Sequence, residues 1–354
     1  MMKNNKKLKT ALIVFIVILA LVLCFNVGVY AAYALAATEV SYTKPGTSTS
    51  ISVKTALDEL YTSQPLAKAV SVGDYVAYNA GSSKSYASPV GTGSSHGNGY
   101  SSQTFTSSSS LKWRVLGWDE ETGGVMLISE APIGKFTMTG AIGYLYAERE
   151  LNEICKIYGY GTGANTSKKF NYVTGDTIEG TTVGTITGSG ARSINVDDVN
   201  KICGVTQSTA LTSNYGKAPY IKSIYYPTTK NSSGKSTSAK SRTDVHTYYY
   251  YTASNYLANT TESYKMLFRD TANSSNISYW LANSCVGSYS NEQSGFFMRC
   301  VLNGSVNGNP LGFGYSSYFS DMPLGYGIRP IVYLKSSIQT NGKNSSGAWN
   351  IIDK

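Results

Sequence analysis

Tyr279-Trp280-Leu281-Ala282 opens the stretch from Ser278 to Ser336, Gly295-Phe296-Phe297-Met298-Arg299-Cys300-Val301 stands in its middle, and Gly325-Tyr326-Gly327-Ile328-Arg329-Pro330-Ile331-Val332-Tyr333-Leu334 closes it. The two ends are apolar and rich in β-formers, as buried strands are. Of the 43 residues between them, Ser284 to Tyr326, 23 are Ser, Gly, Asn or Tyr, and only Glu292, Arg299 and Asp321 are charged. Tyr supplies large amphipathic contact area at small entropic cost, while Ser, Gly and Asn supply adaptable hydrogen bonding. That is the composition of a recognition surface, and equally of a Gly-rich loop in an exported β protein.

Upstream, Leu111–Trp118 and Gly124–Ser129 read as a hairpin turning at Thr122-Gly123-Gly124, with bulk on both faces of the first strand, which makes it central. Leu145, Leu151, Ile154 and Cys155 mark an amphipathic helix over 143–158. Asn195-Val196-Asp197-Asp198 starts a second helix, with Asn195 as N-cap and Gly204 just past its end. Val70–Tyr78 reads as the opening strand. Two segments look like insertions: Asn79–Ser110, almost wholly Gly, Ser, Thr, Tyr and Asn and expected to lack order, and 205–264, with its Ser/Lys-rich part from Thr228 to Arg242 and the run Tyr248–Tyr251.

These elements carry a resemblance. The Tyr-Trp-Leu-Ala start, the Phe-x-Met-Arg-x-Val strand and the Gly-Ile-Arg-Pro-Ile-Val-Tyr-Leu finish resemble the C-terminal half of a bacterial exported surface-domain family of unassigned function. That family is similar to the C-type-lectin-like, formylglycine-generating-enzyme-like fold of the variable proteins of diversity-generating retroelements. The resemblance runs from about Val70 to Ser337. It implies an α+β domain, a curled antiparallel sheet with two helices and long loop insertions, over 67–340, with 341–354 as a tail. It further implies ligand binding by exchangeable side chains within 278–336: Ser288, Tyr289, Asn291, Asn303, Asn307, Asn309, Tyr315, Tyr318 and Asp321. Trp280, Arg299 and Arg329 belong to the frame. The two arginines read either as ligand anchors or as charges that backbone carbonyls or a buried acid hold in place.

At the other end, Lys3, Lys6, Lys7 and Lys9 precede an apolar run that continues with one break from Ala11 to Ala37. This is an export segment, a signal peptide cleaved after Ala34 or Ala36 or a membrane anchor through residues 11–37. Either form places the chain from Thr38 onward outside the cytoplasm, at the cell surface or secreted. Residues 38–66 read as a stalk, with a short helix carrying Ala56, Leu57, Leu60 and Tyr61.

The net charge is +9, but four of the 30 basic residues precede the apolar run and none of the 21 acids does, leaving +5 beyond it. Taken as scattered over a polar surface, +5 argues against a nucleic-acid partner. His96 and His246 are the two histidines. Neither sits in a pattern that would hold a metal or a catalytic triad, and no zinc, calcium or sugar-lectin calcium motif is present. No metal, cofactor or catalytic residue is therefore expected. Glu130 and Glu150 read as surface carboxylates. Outside the export segment stand Cys155, Cys203, Cys285 and Cys300. They are either buried thiols or a disulfide framework, in which Cys285 with Cys300 would close a loop of about 15 residues and contribute about 3 kcal/mol. The functional expectation is a surface ligand-binding protein for an extracellular protein or glycan. A structural subunit of a surface layer or appendage, assembling through Leu57 and Leu60, and a glycan hydrolase are the alternatives.

Overall fold

A computed structural model describes residues 41–43, 50–52 and 63–353, with breaks at 82, 94–99, 173–176, 179–180, 183–185, 206–221, 231–235, 245–250, 271–274, 291–292, 316–318 and 322–323. The chain divides into two units, 1–63 and 64–354. Of the first, the description covers little more than an antiparallel pair, Ser41–Thr43 with Ser50–Ser52. The export segment and the stalk helix lie outside the described residues. Among the described residues no helix is long and apolar enough to cross a membrane.

The second unit is α+β, strand-rich, with open sheets. In chain order its principal elements are β1 (Gln64–Pro65), β2 (Tyr75–Val76), β3 (Ser85–Gly93), β4 (Tyr100–Thr106), β5 (Trp113–Trp118), β6 (Val125–Ser129) and β7 (Ile133–Met138). Then come α1 (Gly140–Lys156), β8 (Ala191–Ser193), α2 (Val196–Cys203), β9 (Lys222–Lys230), β10 (Ser236–Asp244), β11 (Tyr251–Thr252) and α3 (Glu262–Phe268). The last are β12 (Tyr279–Ser290), β13 (Gln293–Leu302), β14 (Ser305–Tyr315), β15 (Phe319–Asp321), β16 (Leu324–Ile328), β17 (Pro330–Tyr333) and β18 (Gln339–Thr340).

Two sheets organise them. A seven-stranded sheet runs β11-β14-β13-β12-β16-β7, with β15 added alongside β14, and a five-stranded sheet runs β8-β17-β6-β5-β2. Side chains alternate across a strand, so neighbouring residues of β12 feed different cores. Trp280 joins Phe136, Met298, Cys300, Leu311 and Ile328 under α1, whose Leu151, Ile154 and Cys155 cover that face. Tyr279 and Leu281 face the opposite core, with Val301, Val306, Val199 of α2 and Leu267 and Phe268 of α3. A third cluster packs Trp113, Val115 and Leu127 against Leu66, Tyr78 and Tyr158. β5 lies between β6 and β2, and its first four residues are buried, in keeping with bulk on both faces.

The second helix follows its sequence signals. Asn195 and Asp198 complete a capping box, and Gly204 closes the helix at φ +67°. Gly at that left-handed position avoids the steric cost that a side chain would incur. Arg192 grips Asp198 with two hydrogen bonds, 2.6 and 2.7 Å, and donates to the Tyr333 hydroxyl at 2.8 Å, fixing α2 to the five-stranded sheet. A register shift between Trp280 and Ser284 brings β12 to the same helix start. There the Asn283 side chain accepts from Val196 N at 2.6 Å, and Ala282 N donates to the Ile194 carbonyl at 2.9 Å.

Four expectations are corrected. Residues 79–110 are not structureless, because β3 and β4 pair, Tyr86 and Phe105 pack against the cores, and Ser88 is buried on α1. The insertion over 205–264 stops short of Tyr251: from there the chain supplies Tyr251, Ala253 and α3 to the second core. The helix α3, capped by the Thr261 side chain, adds to the two expected. Residues 341–354 are no loose tail, since Trp349 N donates to the Tyr75 carbonyl at 2.8 Å and Ile352 bridges to Gln339.

Candidate functional site

The stretch whose composition reads as a recognition loop is regular structure: β12, β13 and β14 form a continuous antiparallel array of 12, 10 and 11 residues. At its base β13 turns into β14 through Asn303 and Gly304 alone, with Leu302 paired to Ser305. Both turn residues have positive φ, +52° and +76°, as tight hairpin turns require. The base is rigid on both faces. Trp280 Nε1 donates to the Phe136 carbonyl at 2.8 Å, and the indole meets the Tyr326 ring edge-on at 4.7 Å.

Arg329 locks the same base from another direction. The chain leaves the seven-stranded sheet at Ile328 and enters the five-stranded sheet at Pro330, while β6 and β7 make the reverse change after Ser129. The fully buried Arg329 lies at both crossings. It donates to the Ser129 carbonyl through Nε (3.1 Å) and Nη2, to the Glu130 carbonyl at 3.2 Å and to the Met266 carbonyl of α3 at 2.7 Å, with the Tyr279 ring 5.1 Å away. Burial holds its pKa below the ordinary arginine value, yet a guanidinium stays charged in proteins. Arg299 is also buried, at 2% exposure, opposite Gly308.

The candidate contact residues that are described do not all stand together. Ser288 pairs with Ser294, Tyr315 with Gln293, and Asp321 with Gly312, so Ser288, Tyr289, Tyr315 and Asp321 stand together toward the end of the array away from the Asn303 turn. Asn291 and Tyr318 lie outside the described residues. Asn303, exposed at the base turn, is roughly 30 Å from that far end, the length of a ten-residue strand. Asn307 and Asn309 are midway. Asn309 Nδ2 is occupied internally, donating to the Tyr326 hydroxyl at 2.7 Å and to Cys300 Sγ at 3.4 Å, and Asn307 accepts from Gly308 N. Beside the array runs β9, its backbone within 8 Å, Cα to Cα, of β12, β13 and β14.

Cys155, Cys203, Cys285 and Cys300 are buried and outside any disulfide, so of the two readings the buried thiols hold and the Cys285–Cys300 bridge is not formed. Cys285 pairs with Phe297, three residues from Cys300 on the same strand, a separation of about 10 Å that no disulfide spans without backbone movement. Burial pushes the thiols of Cys155 and Cys300 far above their usual range, and that of Cys203 up to about 11. All three stay protonated at neutral pH and unfit as nucleophiles. Glu150 is likewise no surface carboxylate. It is fully buried on α1, where Oε2 accepts from the Tyr86 hydroxyl at 2.8 Å and from Ser88 Oγ at 2.7 Å, and burial raises its pKa. Glu130 is half-buried and accepts from the Tyr75 hydroxyl. His96 and His246 lie outside the described residues, and among the described residues no group of three or more His, Cys, Asp or Glu stands together to hold a metal.

One concavity went unread in the sequence. A cleft of about 510 Å³ is lined by Tyr75, Asn79, Leu111, Trp113 and Asn344, among others. Its walls come from 75–79, 109–113 and 344–348, which no local pattern connects.

Compared with protein-family models, curated proteins and solved structures, the chain matches none of the three.

Proposed function

We propose that this chain is an exported ligand-binding protein of the cell surface, whose C-type-lectin-like domain presents the far end of the β12–β15 array to an extracellular protein or glycan. One observation carries the reading. Three long strands are anchored at their base by two cores and by Arg329, and their far ends carry Ser, Tyr and Asp, residue types that suit contact. A frame of that kind tolerates exchange at Ser288, Tyr289, Tyr315 and Asp321 without altering the fold. Helices packed on an antiparallel sheet are what the lectin-like resemblance asks for, and the apolar segment 11–37 supplies export and retention at the membrane.

The test is a binding screen of the full-length protein against glycan and protein panels, repeated with Tyr289→Ala and Tyr315→Ala. Loss of a captured ligand by tenfold or more, at an unchanged unfolding temperature, supports the reading. A ligand held equally well by both variants overturns it. Population sequencing of the coding region adds a second readout, because substitutions confined to codons 284–326 between fixed Trp280 and Arg329 codons would identify a diversified receptor.

A further inference from the structure

The +5 carried from Thr38 onward is not scattered. The 23 residues from Lys222 to Asp244 hold Lys222, Lys230, Lys235, Lys240 and Arg242 against one acid, Asp244, so this segment carries +4 and everything else carries +1. Strand register concentrates it further. β9 and β10 pair as Lys222 with Asp244, Ile224 with Arg242 and Tyr226 with Lys240, and directly opposed residues share a face. Lys222, Ile224, Tyr226, Lys240, Arg242 and Asp244 therefore occupy one face, while the other holds uncharged residues such as Ser223, Tyr225, Ser241 and Thr243. The same strand β9 lies within 8 Å of all three strands of the array. This run of positive charge, with Tyr226 interleaved, thus lies on a strand beside the array, whose sequence is rich in hydroxyls, amides and tyrosines.

We propose that the ligand of this surface is an acidic polysaccharide, its anionic groups neutralised by the basic face of the β9–β10 hairpin and its sugar rings met by the array. This rests on the preceding reading of the array as the contact surface. Tyr and Asn suit stacking and hydroxyl recognition along a sugar chain, and Lys240 and Arg242, at alternate positions of β10, with Lys222 opposite Asp244 on β9, suit a repeating anion. The shared chemistry is a regularly charged glycan, and carboxylate or phosphate could supply it.

Fluorescence anisotropy of the full-length protein tests this with labelled polygalacturonate, dextran phosphate, neutral dextran and a single-stranded oligonucleotide of matched length. Polygalacturonate or dextran phosphate should bind at least tenfold tighter than neutral dextran, and whichever is tighter identifies the anion. With Asp244 offsetting one of the three bases, neutralising about two anionic groups should make the affinity fall about tenfold between 50 and 200 mM salt. The triple variant Lys222→Ser, Lys240→Ser, Arg242→Ser should lose about tenfold and most of that salt dependence. Equal binding of dextran, or affinity independent of salt in the unaltered protein, overturns the proposal and leaves the array reading intact. Equal or tighter binding of the oligonucleotide overturns it in favour of a nucleic-acid partner. If the triple variant loses binding while Tyr289→Ala and Tyr315→Ala do not, the hairpin inference stands and the array reading fails.

Discussion

Replacing Arg329 by Met tests the claim that one buried guanidinium joins the two sheets. Met keeps much of the side chain's length and apolar bulk, so the change isolates the hydrogen bonds. The buried carbonyls of Ser129 and Met266 would each lose a donor now at 3.1 and 2.7 Å. An unsatisfied buried group costs about 1–3 kcal/mol, and the gain from no longer burying a charge offsets part of that, leaving a net loss of about 3 kcal/mol. For a unit of about 290 residues that is a fall in Tm of roughly 5 °C. Trp113, Trp118, Trp280 and Trp349 all lie in the second unit, so tryptophan fluorescence during heating or urea titration reports on that unit alone. Arg329→Lys should fall between, because one ammonium cannot serve the Ser129, Glu130 and Met266 carbonyls together. A Tm shift below about 2 °C for the Met variant would refute the reasoning and reduce Arg329 to a tolerated buried charge.

Burial raises the Glu150 pKa above its unfolded value, so the folded state binds more protons as pH falls. The stability of the unaltered protein relative to Glu150→Gln should therefore rise from neutral pH down to about pH 4.3, the unfolded value, as urea midpoints across that range will measure. Asn195→Ala removes one half of the α2 capping box and should cost about 1 kcal/mol in the same assay. With no disulfide among them, all five cysteines of the chain, Cys24 included, should react with a thiol reagent in denaturant without reductant, whereas a single bridge would leave three. Gly161→Ala should destabilise by more than about 2 kcal/mol, since a Cβ there meets the Asn79 carbonyl and the Tyr78 ring, and neither can withdraw cheaply.

The readable parts of this fold were those whose signals are local. Asn195, the acids after it and Gly204 spell a helix with both ends marked, and Trp113–Ser129 spells a hairpin, because capping and alternation need only neighbours. The array was hidden for the opposite reason. Gly295, Gly312 and Gly314 lower strand propensity, and what keeps them in strands is the register between β13 and β14, a non-local property. Glu150 looked like a surface acid because its neighbours Arg149 and Glu148 are charged, and its burial depends on Tyr86 and Ser88, more than sixty residues away in sequence. The same holds for the candidate site. Composition singled out the segment, but separating Asn303 and Asn309 from Ser288 and Tyr315 took strand pairing.

The order β8-β17-β6-β5-β2 also bears on how the molecule is made. β17, residues 330–333, is the last of those strands to be synthesised, and it lies inside the sheet between β8 and β6. The β5–β6 hairpin can form early, but until Tyr333 has emerged it keeps one edge of β6 open. β1 must wait longer for Gln339 and Thr340, and Tyr75 longer still for Trp349. Such long-range closure slows folding and prolongs exposure of unpaired strands. The strands made first stay available to chaperones and proteases until the strands made last arrive.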